Sequence, residues 1–137
     1  MSAETVFSIA NATALIVWIG LLLLPGRRWV NQIVVGIVAA LLAVAYIAII
    51  GPRWLSSPGG FSSLAGVATL FANPWLLLAG WIHYLAFDLL IGSWEARDSR
   101  QLGIPHLLVM PCLILTFLFG PAGWLLYMAV RTARARR

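Results

Sequence analysis

Apolar residues run along this chain in long blocks, without the two-residue alternation of a half-buried strand. A helix needs about 20 such residues to cross the hydrocarbon core of a bilayer. The first block covers residues 6–24, interrupted only by Ser8, Asn11 and Thr13, and Pro25-Gly26-Arg27-Arg28 ends it. The second covers 30–50, apolar after Asn31 and Gln32 and closed by Gly51-Pro52. The third covers 75–92, with Asn73-Pro74 supplying a cap and a first-turn proline. The fourth covers 105–130, where Pro111 and Gly120-Pro121 predict a kink or local break. The expected fold is an all-α membrane protein: a four-transmembrane-helix bundle, one domain over residues 1–137.

Between the second and third blocks, residues 52–73 are rich in Ser and Gly, yet Leu64, Val67, Leu70 and Phe71 fall at helical spacing. They predict a short interfacial or re-entrant helix, against the plainer expectation of a loop. The first block lacks a basic leader and exceeds the apolar core of a signal peptide, so it reads as a retained helix. Asn11-Ala12-Thr13 matches a glycosylation sequon, but inside a span it accepts no glycan.

Composition agrees with a bilayer setting: 62% of the 137 residues are hydrophobic and 9% charged, and mean hydropathy is +0.96. The net charge of +5 does not point to nucleic acid. All nine basic residues are arginines near the ends of apolar blocks or in the tail at Arg131, Arg134, Arg136 and Arg137. That placement is a topology signal, or an anchor to anionic membrane lipid. With four crossings, five arginines share a side with both termini and four lie opposite, which weakly places the termini in the cytoplasm. Cys112 is the sole cysteine, so no internal disulfide or cysteine metal cluster exists.

Ionisable groups are concentrated. Apart from Glu4, every acidic residue and both histidines fall within residues 83–106: His83, Asp88, Glu95, Asp98 and His106. A charged aspartate inside a bilayer costs roughly 2.5–3.5 kcal/mol, so such residues usually face a cavity or a partner. The plainer alternative pairs Asp88 with Arg97 or Arg100 and lets His83 bond a neighbouring helix. Trp81, Tyr84 and Asp88 share one helix face, whereas His83 lies about 140° from Asp88, so a direct His–Asp dyad is not implied. One imidazole and one carboxyl group in an apolar setting suit proton transfer. Residues 94–100 alternate in charge sign and read as a solvated linker, or, over the open end of the bundle, as a gating or catalytic segment. His106, in the first turn of the fourth block, could meet Asp98 or Glu95.

Two histidines are too few for a membrane di-iron hydroxylase, and no HExxH, Walker A or post-strand GxGxxG motif occurs. No cofactor is expected. A His–carboxylate metal site from His83, Asp88, Glu95 and His106 is the weaker alternative to no metal at all. Most tryptophans read as interfacial anchors, but Trp81 is too deep for that and could line a pocket.

From residue 70 onward the chain carries an ordered string: Phe71-Ala72-Asn73-Pro74, residues 80–88 from Gly80 through Trp81 and His83 to Asp88, then Trp94-Glu95-Ala96-Arg97-Asp98. Gly103-Ile104-Pro105-His106, Pro111-Cys112 and residues 115–123 complete it. In this string the chain resembles the abscisic-acid-deficient-four-like family of small membrane proteins, over nearly its whole length. In plants that family is associated with forming neoxanthin from violaxanthin, an epoxide opening with proton loss and no net redox change. The resemblance implies a carotenoid- or isoprenoid-directed isomerase, with His83, Asp88, Glu95, Asp98 and His106 as catalytic candidates. Asp88 or Glu95 would serve as acid and His83 as base, with Trp81, Tyr84, Phe87 and Trp94 around an apolar, lipid-like carotenoid or retinoid. Lacking the long targeting extension of plastid members, the chain is expected in a bacterial-type plasma membrane. Two other readings stay open: a non-catalytic carotenoid- or retinoid-binding or assembly protein, and a small proton-coupled transporter. A homodimer or an enzyme partner is compatible with each.

Overall fold

A computed structural model of the chain describes residues 1–24, 27–30 and 34–135. Among the described residues there are six helices and no strand: α1 (Ala3–Leu23), α2 (Val35–Trp54), α3 (Leu64–Phe71), α4 (Pro74–Gln101), α5 (His106–Phe119) and α6 (Pro121–Ala135). The expected Pro25-Gly26 stop, the polar start at Asn31 and Gln32, and the tail arginines Arg136 and Arg137 lie outside the described residues. Side-chain caps start three helices, as Ser2 accepts from the Thr5 amide, Ser63 from Gly66 and Asn73 from Trp75. The short helix expected before the third span is α3. Span two does not stop at Gly51-Pro52; α2 takes Pro52 into its last turn, and the Arg53 side chain donates back to the Ile49 carbonyl at 3.0 Å.

Three helices, α1, α2 and α4, are long and apolar enough to cross a membrane. Their outward residues are apolar too; Ile16, Leu41, Val44 and Ile47 are all well exposed. A surface of that kind is stable against lipid, not against water. α4 differs from the expected third span by running on to Gln101, so residues 94–100 are the last turns of a helix and not a linker. Glu95, Ala96 and Arg97 are good helix formers, and no Gly or Pro follows Gly92 until Gly103. There, with φ +65°, the Gly103 amide bonds the Arg100 carbonyl and Ile104 bonds Ser99 at 2.8 Å, a Schellman end.

The expected fourth span, 105–130, is not one helix. α5 passes through Pro111 and ends at Gly120, where φ is +40° and Pro121 offers no amide hydrogen. The chain then doubles back. Gly123 of α6 packs so closely on Thr116 of α5 that a Cβ there would overlap the Thr116 amide and hydroxyl. Tyr127 stacks edge-on against Trp94, and Arg131 reaches Asp98 near the end of α4. α5 descends beside α4 to the level of Asp88, and α6 climbs again.

α1 runs parallel to α4, with Phe7 and Asn11 beside Trp81 and Trp18 over Gly92. α2 is antiparallel, pairing Tyr46 with His83 and Arg53 with Trp75. Half of the apolar window of α4 is buried, against 28% for α1 and α2, which makes α4 the central helix. Ala10, Ala14, Leu42, Ala79 and Ile82 fill the core at one end, and Trp18, Leu89, Cys112, Leu113 and Tyr127 fill it at the other. With α5 and α6 folded as a hairpin, the start of α1 and the end of α6 lie at opposite ends of α4. The four-crossing expectation had placed both on one side.

Candidate functional site

Along one face of α4, Trp81, Tyr84, Asp88, Glu95 and Asp98 recur at spacings of three, four, seven and three residues, a polar stripe turned toward α1, α5 and α6. Each member has a partner, and only one carboxyl oxygen of Asp88 is left without one. The Trp81 indole donates to Asn11 Oδ1 of α1 at 2.7 Å. The Tyr84 hydroxyl lies 3.2 Å from the carbonyls of both Phe117 and Leu118. Those carbonyls belong to the last turn of α5, where Pro121 and the bend at Gly120 remove the usual amide donors, so Tyr84 caps a helix end left open by its sequence.

Glu95 is fully buried, and both its carboxyl oxygens accept from the Thr116 hydroxyl, at 3.0 and 3.1 Å. Asp98 accepts from Tyr127 at 2.5 Å and from Arg131 Nε at 2.7 Å. The Asp98 carboxylate in turn pushes the Arg131 guanidinium above its ordinary range. Asp88 lies against the hairpin tip, where a Cβ on Gly120 would come within 2.7 Å of its Oδ1. Its Oδ2 is buried and has no hydrogen-bond partner. The pairing of Asp88 with Arg97 or Arg100 does not occur: it is Asp98 that finds an arginine, from α6.

One helical turn before Asp88 a groove of about 320 Å³ opens between α1, α4 and α5, lined by Asn11, Leu15, Trp81, Tyr84, Phe117 and Leu118 among others; Asp88 does not line it and lies behind Tyr84. Trp81 also walls a second hollow of about 370 Å³ that continues along the α1–α4 seam past Phe7 and Leu77 to Glu4 and Pro74. Along α4 the two reach from Pro74 to Leu85, about 16 Å at the helical rise.

The other sequence candidates lie elsewhere. His83 faces α2 and stacks with Tyr46 and Phe87 at ring separations of 5.7 and 4.6 Å, so it does not join the carboxylates. Phe87 is on the same side as His83, away from the groove. Trp94 packs into the core against Tyr127. His106 does not meet Asp98 or Glu95; its Nε2 donates to the Leu22 carbonyl at 2.8 Å and pins the start of α5 to the last turn of α1. Among the described residues no three His, Cys, Asp or Glu side chains are placed to hold a metal ion. The residues that sequence reasoning passed over are the partners: Asn11, Thr116, Gly120, Tyr127 and Arg131. Asn11 and Thr116 carried a signal, as isolated polar residues within apolar blocks; Tyr127 and Arg131 carried none.

What this arrangement can do chemically centres on Asp88, a carboxyl group with an unengaged buried oxygen, one residue removed, through Tyr84, from an aromatic-lined hollow. Glu95 and Asp98 extend the acidic stripe toward the Arg131 end but are already satisfied by protein donors. No curated protein and no solved structure matches this chain. A family model does: the ABA4-like model, described as ABA DEFICIENT 4-like, matches residues 5–127 and so takes in α1 to α5 and the first half of α6 with all five members of the stripe. The chain belongs to the ABA DEFICIENT 4-like family.

Proposed function

We propose that this protein is a membrane-embedded isomerase of a carotenoid-like isoprenoid, with Asp88 as the proton-exchanging group. The observation that carries the reading is the buried, unpartnered Asp88 Oδ2, separated by Tyr84 from the groove of Trp81, Phe117 and Leu118, so that a Tyr84 ring swing would bring substrate and carboxyl group together. The two hollows on either side of Trp81, together about 16 Å along α4, take one end of a polyene while the rest stays in lipid. For an epoxide-bearing end, the proton on a carbon conjugated to the epoxide passes to the Asp88 carboxylate. The freed electron pair forms a new C=C bond, the epoxide C–O bond breaks, and the oxygen takes the proton back. Atoms and oxidation state balance, so one carboxyl group suffices as base and then acid. This assigns His83 no part in the step, because it points to the other side of α4.

A non-catalytic carrier of the same lipid is favoured by a different observation: Glu95 and Asp98 are held by Thr116, Tyr127 and Arg131, as structural groups would be. Expression in carotenoid-producing cells separates the two. The isomerase reading expects a new pigment of unchanged mass, lost in Asp88→Asn and retained in His83→Phe. A purified protein that carries pigment without converting it selects the carrier, and an unaltered pigment profile with no bound pigment removes both.

For the membrane, we infer three crossings by α1, α2 and α4 and a re-entrant α5–α6 hairpin. Arg27, Arg28, Arg97, Arg100, Arg131 and Arg134 then gather at one end of the bundle and Arg53 at the other. The positive-inside rule places the arginine-rich end in the cytoplasm and the start of α1 outside, in a plasma membrane of bacterial type.

A further inference from the structure

On the opposite face of α4 from the carboxylates lies a separate pocket of about 270 Å³, walled by Tyr46 and Ile50 of α2, Leu70 and Phe71 of α3, Gly80 and His83 of α4, and Phe61. Its roof is held in place. Gly59 has φ +98° and packs against the Gly66 carbonyl and the Leu70 backbone, where no side chain fits, and the Gly60 amide bonds the Gly66 carbonyl at 3.2 Å. Phe61 then stacks with Trp54 at 5.0 Å. On the α4 wall, the missing side chain of Gly80 makes room for the Phe71 ring, 3.3 Å from where a Cβ would stand.

Two residues with polar groups line this otherwise apolar space, the exposed His83 and, on the facing helix, the half-buried Tyr46, their rings 5.7 Å apart. No hydrogen bond among the described residues engages either. His83 lies nine residues into α4, about 14 Å along the helix and therefore near the middle of a hydrocarbon core about 30 Å thick. An unpaired imidazole is unfavourable at that depth, and an oxygen atom supplied by a ligand relieves it. The volume is at the small end for ligand sites, so it admits a ring and not a long chain. The walls of Tyr46, Phe61 and Phe71 favour a flat, unsaturated ring.

We propose that this pocket is a second binding site, for the unsaturated, oxygen-bearing ring of an isoprenoid lipid, with His83 and Tyr46 hydrogen-bonding the ring oxygen and the tail leaving into the bilayer. Two sources share that chemistry, a quinone head group and an oxygenated terpenoid ring. The site does not depend on chemistry at Asp88.

The test titrates the full-length protein in phosphatidylcholine nanodiscs with menadione, a flat diketone, and with β-ionone, a cyclohexenyl ketone, following quenching of tryptophan fluorescence. Saturable binding is expected, weakened at least tenfold by His83→Phe and by Gly80→Leu and unchanged by Asp88→Asn. Tighter menadione assigns a quinone-type ring, and tighter β-ionone a terpenoid one. The proposal is overturned if neither probe saturates, if His83→Phe binds like the parent, or if Asp88→Asn alone abolishes binding, which would place the probe in the other groove. Such a failure leaves the Asp88 reading standing, because that reading is judged on pigment conversion.

Discussion

Thr116→Val isolates the deepest polar contact of the hairpin. Valine keeps the shape of threonine but removes the hydroxyl that donates to Glu95 at 3.0 and 3.1 Å, and both residues are fully buried. Stranding a buried acceptor costs about 1–3 kcal/mol in soluble proteins. Hydrogen bonds between membrane helices average only about 0.6 kcal/mol, with a ceiling near 1.7, because the unfolded chain in lipid also finds partners. Full burial places this pair toward that ceiling, so a loss of about 1–1.7 kcal/mol is expected, roughly a five- to twentyfold drop in the folded-to-unfolded ratio. Unfolding by titration with SDS, followed by the fluorescence of buried tryptophans such as Trp18, gives the value directly. The same substitution repeated in a Glu95→Leu background completes a double-mutant cycle, and there the cost should shrink to a few tenths of a kcal/mol. Equal cost in both backgrounds would mean that valine acts through packing against Gly123, and the Glu95–Thr116 pairing would be refuted.

Gly92→Leu puts a side chain where the Trp18 ring already sits, and overpacking should destabilise the α1–α4 contact by about 1–3 kcal/mol, read in the same titration. Gly120→Ala should cost about 1–3 kcal/mol by straining a φ of +40° and pressing on Asp88; a neutral result would show that the hairpin tip does not need its glycine. For topology, in a Cys112→Ser background, Ser2→Cys should react with an impermeant maleimide on intact cells and Arg134→Cys only after lysis. Labelling of both from one side would overturn the hairpin.

The three long helices were legible because hydropathy measures what a bilayer demands, a continuous apolar run of sufficient length. The Asn73-Pro74 start was equally plain, since capping chemistry is local. Residues 94–100 misled because alternating charge resembles a solvated loop, although their helix propensity is high and Gly103 marked the true stop. The fourth block misled more deeply: apolarity is the same whether residues 105–130 cross once or fold back, and Gly120-Pro121 announces a break without giving its angle. In the site, spacing placed Trp81, Tyr84 and Asp88 on one face from sequence alone, and Glu95 and Asp98 join that face because α4 runs on to Gln101. Their partners Thr116, Tyr127 and Arg131 became neighbours only through the reversal at Gly120, a tertiary event with no local period.

The reversal at Gly120 also bears on how the chain enters a membrane. With the end of α4 in the cytoplasm, as we propose, a fourth crossing would carry Arg131 and Arg134 to the far side, against the positive-inside rule. In the proposed topology, a hairpin that dips to the level of Asp88 and returns delivers the Asp98–Tyr127–Arg131 cluster from the side on which the chain is made. Insertion can then proceed in two stages, with α1, α2 and α4 laid down first and α5–α6 slotted afterwards into the face of α4 that they leave uncovered.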